Sequence, residues 1–104
     1  MLAMARTMAA QIAATHPDVT RVLLFGSCAR GDFSAQSDLD LLILLRSSSV
    51  PVGDRVAEFL NDCTAYPTDV FPLTEAELQE QLREGDPFWT QAVKEAVDCA
   101  PSRG

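Results

Sequence analysis

Leu39 to Leu45 reads Leu-Asp-Leu-Leu-Ile-Leu-Leu, seven residues with one charge among them, Asp40. A run so apolar and so short is a buried strand, and it sets what the rest of the chain must cover. Asp is depleted in strands because its short polar side chain competes with the backbone ladder. Strand side chains alternate, so Asp38 and Asp40 project from one face, roughly 7 Å apart along the chain. Carboxylates that near each other repel, and a divalent cation offsets the repulsion. Mg²⁺ suits such hard oxygen donors, because it takes one or two carboxylates together with substrate phosphates and water. The Asp-x-Asp spacing is short and frequent. On spacing alone, an Asp at the start of a strand with a solvent-facing neighbour explains it equally well.

The surrounding pattern is that of an α/β sandwich. Met4, Met8 and Ile12 recur every four residues and form one stripe of a helix that must end before Pro17. Val19 to Phe25 is a second buried strand, stopped by Gly26. Val52, Val56, Phe59, Leu60 and Cys63 mark an amphipathic helix leading to Pro67, and Val70 with Phe71 predicts a third strand. Thr74 with Glu77 predicts a capping box for a helix through Arg83. Asp86 followed by Pro87 predicts another helix, to about Asp98. A short helix is expected between the first two strands. The long helical connection from the second strand to the third permits a parallel crossover. No repeat or linker is visible, so residues 1–100 read as one domain and 101–104 as a frayed tail.

Charge and cysteines narrow the function. A net charge of −7 and a single lysine, Lys94, oppose non-specific binding to a nucleic-acid backbone, which depends on clustered Lys and Arg. No direct nucleic-acid binding is expected, whereas a basic protein partner or a nucleotide carrying its own Mg²⁺ remains compatible. Cys28, Cys63 and Cys99 are odd in number and far apart, which fits reduced thiols rather than a disulfide framework or a zinc site. The stretch from Met1 to Ala14 contains Arg6 and Gln11 and no apolar segment long enough for a signal peptide or membrane span. A cytoplasmic location is expected. His16, the one histidine, precedes Pro17 at a helix end and reads as a surface residue without a catalytic role.

Gly26 and Ser27 follow directly on a strand, and Arg30 and Gly31 follow in turn. Glycine lets backbone approach an oxyanion, and the Ser27 hydroxyl and Arg30 guanidinium add donors. Alone, Gly-Ser after a strand is an ordinary tight turn. Joined to the aspartates across ten intervening residues, in LLFGSCARGDFSAQSDLDLLILL, it resembles the signature of the polymerase-beta-like nucleotidyltransferase superfamily. With Ala29-Arg30-Gly31 and Ser37 included, the chain most resembles the minimal nucleotidyltransferases, over nearly its whole length. One departure is Cys28, where members often have an aromatic residue.

The resemblance implies a small mixed β-sheet covered by helices. It also implies a third carboxylate on a later strand, for which Asp69 in Tyr-Pro-Thr-Asp-Val-Phe is the candidate. The implied chemistry is transfer of AMP from ATP by in-line attack of an acceptor oxygen on the α-phosphorus. Asp38, Asp40 and Asp69 would hold two Mg²⁺ ions, Asp69 could receive the acceptor's proton, and Gly26, Ser27 and Arg30 would bind the phosphates. The expected acceptor is a hydroxyl, a tyrosine, of a helical HEPN-type ribonuclease toxin, which makes this chain an antitoxin acting by adenylylation. The chain is expected to be too short for an acceptor domain of its own, and Phe88, Trp89, Ala92, Val93, Ala96 and Val97 offer an apolar face that such a partner, or the core, could cover. Two other readings remain: a silent module that neutralises a partner by binding alone, and an enzyme acting on a small molecule such as an aminoglycoside.

Overall fold

The computed structural model describes residues 2–26, 38–61, 63 and 67–99. In chain order they form α1 (Leu2–Thr15), β1 (Val19–Phe25), β2 (Leu39–Leu45), α2 (Val52–Leu60), β3 (Thr68–Thr74), α3 (Glu75–Arg83), α4 (Pro87–Glu95) and β4 (Val97–Asp98). The strands make one sheet in the order β3-β2-β1-β4. β1 is antiparallel to both β2 and β4, and β2 is parallel to β3, with α2 in the crossover. The sheet is mixed, as expected. The expected short helix between the first two strands and the tail at 101–104 fall outside the described residues.

β2 has a neighbour on either side and helices over both faces, and this is why it reads as an apolar run without alternation. Its odd-numbered residues, Leu39, Leu41, Ile43 and Leu45, pack with Val22 and Leu24 of β1 against Met8 and Ile12 of α1 and Phe59 of α2. Its even-numbered Leu42 and Leu44 pack with Leu23 and Phe25 against Leu78 of α3 and Ala92 of α4. Asp40 shares the parity of Leu42 and Leu44. Its side chain therefore belongs to the α3/α4 face, at the end where β2 begins.

Local chemistry starts and stops the helices as expected, with two exceptions. The Thr74 hydroxyl accepts from the Glu77 amide at 3.1 Å while the Thr74 amide donates to Glu77 Oε1 at 2.7 Å, completing the capping box of α3. Asp86 Oδ1 accepts from the Trp89 amide at 3.0 Å ahead of Pro87, opening α4. The first exception is α2, which ends at Leu60 and turns Val52 and Leu60 to solvent, while Arg55 is buried. Arg55 is accommodated because Nε donates to the Val50 carbonyl at 2.7 Å and Nη1 to the Pro72 carbonyl at 3.2 Å, and the guanidinium grips Glu77 with two bonds of 2.6 and 3.2 Å. Apolar periodicity cannot see a buried cation paired from another element.

The second exception is α4, which stops at Glu95, short of the expected Asp98. Ala96 is extended, and Val97 and Asp98 pair with Leu24 and Leu23 as β4. The open edge of β1 offers ladder bonds that a last helical turn would forgo, and β-branched Val97 suits a strand. β3 is longer than the expected Val70–Phe71 pair and contains Pro72, tolerated because β3 is an edge strand.

Candidate active site

β1 ends where β2 begins, since the two are antiparallel, and β3 begins beside them. In register, Asp40 lies between Phe25 of β1 and Asp69 of β3. Adjacent strands are about 4.8 Å apart, so two carboxylates leave neighbouring backbones side by side. Asp69 precedes buried Val70, which packs in the α1/α2 core, so its side chain shares the α3/α4 face with Asp40. The Leu39 amide donates to the Pro67 carbonyl at 3.0 Å and ties the two strand beginnings together. Asp38 is exposed, one residue before β2.

Gly26 closes the site from the β1 side. Its φ of +76° is a left-handed conformation that L side chains rarely adopt, and a methyl group at its Cα would collide with the Asp40 carboxylate. The glycine thus serves both the turn and the close packing of the aspartate on the backbone. Burial, then the charges of Asp69 and Asp38, push the Asp40 carboxyl above the usual Asp value. A site that raises the cost of its own ionised aspartate in this way is chemically suited to a cation. Among the described residues no three carboxylate, imidazole or thiol groups stand close enough to complete a three-ligand metal cage. The expected three-aspartate set is therefore not a preformed cage.

Of the residues singled out in the sequence, Gly26, Asp38, Asp40 and Asp69 are brought together here. Ser27 and Arg30, with Cys28, Gly31 and Ser37, lie outside the described residues. His16 sits at the far end of β1. Its ring is half-buried on Phe59, centroids 4.3 Å apart, rather than at the surface as expected. Cys63 and Cys99 are buried free thiols.

What lies beside the aspartates is not legible in the motif. A cleft of about 390 Å³ is lined by Gly26 and Asp40, by the aromatic rings of Phe25, Phe71 and Phe88, and by Gln91, Ala92 and Glu95 of α4. Positions 88, 91, 92 and 95 are one helical face. Counting apolar residues alone assigned 88 and 92 to a stripe and passed over the two polar ones between and beyond them.

Comparison with known proteins agrees with this geometry. The family described as nucleotidyltransferase domain matches residues 6–99. A crystal structure of a protein from Sulfolobus solfataricus, described as a candidate nucleotidyltransferase, superposes with a TM-score of 0.65 at 30% identity, over 77% of this chain and 72% of that one. No curated protein sequence matches significantly. Among the described residues no helix is long and apolar enough to cross a membrane. The matched span runs from α1 to the end of the sheet and includes both aspartate-bearing strands, so the chain belongs to the nucleotidyltransferase domain family.

Proposed function

We propose that this nucleotidyltransferase transfers AMP from ATP, with Mg²⁺, to a protein hydroxyl, a tyrosine of a helical HEPN-type ribonuclease, and so acts as its antitoxin. The observation that carries the transferase reading is the in-register pair Asp40 and Asp69, with Gly26 pressed against the first. Asp38 and Asp40 would hold both metal ions, and Asp69 would complete the one on the acceptor side. The bound cations would lower the pKa of the acceptor hydroxyl and offset charge on the departing pyrophosphate. The acceptor oxygen forms its bond to the α-phosphorus as the bond from that phosphorus to the β-phosphate bridging oxygen breaks. The hydroxyl proton passes to the Asp69 carboxylate. Gly26 allows phosphate oxygens close to the backbone, and by the sequence motif Ser27 and Arg30 supply donors to the β and γ phosphates.

A protein acceptor is supported by the apolar side chains that α4 leaves in the open, Phe88 53% exposed at the cleft and Val93 36% exposed on a different side of the helix. An added AMP brings negative charge and bulk that would block RNA from a ribonuclease cleft. The test is mass spectrometry of the ribonuclease co-expressed with this chain. The mass of AMP should appear on a tyrosine with the wild type and vanish with Asp40→Asn. A partner neutralised equally by the variant, with no mass added, would establish inhibition by binding alone.

A further inference from the structure

The cleft beside Asp40 combines polar groups with an apolar wall, and that make-up points to its occupant. One polar group is the carboxylate of Asp40. Another is the side chain of Gln91 on α4, which donates from Nε2 to Glu95 Oε1 at 2.8 Å. The wall is made by the rings of Phe71 and Phe88, centroids 6.1 Å apart, with Phe25 within 5.3 Å of Phe71 and 5.9 Å of Phe88. Among the described residues no Lys or Arg lines the cleft. A nucleoside uses both kinds of lining, because the flat face of its base packs on aromatic rings while the edge of the base hydrogen-bonds to an amide.

We infer that this cleft is the nucleoside subsite and that Gln91 selects adenine, an inference that rests on the nucleotidyltransferase reading. The contact with Glu95 turns the amide nitrogen of Gln91 toward that carboxylate and leaves Gln91 Oε1 as the group offered to a base. An acceptor in that place takes a hydrogen bond from the 6-amino group of adenine. The 6-carbonyl of guanine would set oxygen against oxygen, next to a carboxylate. The second N–H of the Gln91 amide can donate to the adjoining ring nitrogen, the two-bond pairing by which glutamine reads adenine. Phe71 and Phe88 supply the stacking surface, a contribution tolerant of base identity, and this leaves discrimination to Gln91.

Equilibrium titration of the full chain with ATP and with GTP, each with Mg²⁺ and without acceptor, tests this. Wild type should bind ATP roughly tenfold more tightly than GTP, within the discrimination of one good two-bond contact. Gln91→Leu, and Gln91→Met as a second replacement of similar length, should bring the two affinities within about twofold. Gln91 is exposed, so both variants should keep the wild-type thermal midpoint. Equal affinities in the wild type, a GTP preference, or a preference unchanged in the variants would each overturn the assignment while leaving the transferase reading in place. Binding of neither nucleotide by the wild type would overturn both. A Phe88→Ala variant that raises KM for the protein acceptor with ATP affinity unchanged would give the cleft to the acceptor's ring instead.

Discussion

Asp40 and Glu77 lie off opposite ends of the β2–β3 pair, and the fold treats their charges in opposite ways. Asp40 is partly buried among like charges, and its carboxyl is pushed above the ordinary value. Glu77 receives two bonds from the buried Arg55 guanidinium and one from the Thr74 amide. Led by the Arg55 contact, these hold it down to about 2. One end of the sheet is electrostatically completed by the protein itself, whereas at the other the charges that act on Asp40 among the described residues are of its own sign. The difference separates groups that hold the domain together from groups held ready at a cost. It also gives each end a signature that substitution can break.

The largest effect is expected at the Asp40 end. Asp40→Asn should lower AMP transfer by about 10³-fold or more, within the range of a lost acid–base or charge-bearing group. The fold should be retained, because the side chain keeps its size. A single-turnover assay with labelled ATP and the protein acceptor checks this, and transfer within tenfold of wild type would remove Asp40 from the chemistry.

At the completed end the loss should appear in stability. Glu77→Ala strips a buried guanidinium of its carboxylate and removes the reciprocal half of the α3 capping box, and with Glu77 itself 38% exposed about 2–3 kcal/mol is expected. The same pair predicts a pH window. A depressed carboxyl contributes stability that is present above its ordinary value near 4.5 and lost as pH falls from there toward about 2. Urea titrations of wild type and variant should therefore converge across that interval. A constant gap would assign the cost of the substitution to lost packing.

Gly26→Ala should cross the two signatures. The left-handed backbone and the collision with Asp40 together predict a cost of about 1–3 kcal/mol and a loss of transfer that Gly85→Ala, equally left-handed at φ +75° but facing open space, should not show. Activity measured for both variants separates backbone strain from displacement of the aspartate.

The smallest effect carries an inverted sign. Removing the charge of Asp40 relieves repulsion, so metal-free Asp40→Asn should be slightly more stable than wild type near neutral pH. Because the folded pKa is raised, the penalty grows as pH rises through it and is absent in acid, where both proteins should unfold alike. Added Mg²⁺ should raise the thermal midpoint of the wild type and not that of the variant. A metal-free variant less stable than wild type would contradict the repulsion.

How much of this was legible depended on the range of the signals involved. The caps at Thr74 and Asp86, the break before Pro17 and the buried strand from Leu39 to Leu45 are written in residues within one or two turns of each other, where local hydrogen bonding and side-chain period decide the outcome. Period alone also put Asp40 on one definite face of that strand. Tertiary structure decided which partners meet it. The register that sets Asp69 beside Asp40 is a pairing across the parallel crossover, and the glycine seated under the carboxylate is a close approach between strands. The same holds for Arg55 and Glu77, 22 residues apart, and for Val97–Asp98, which left a helical pattern to complete the edge of β1. Each of these is a choice between a local conformation and a distant partner. The sequence specifies the first at every position, whereas the second exists only once the sheet has formed.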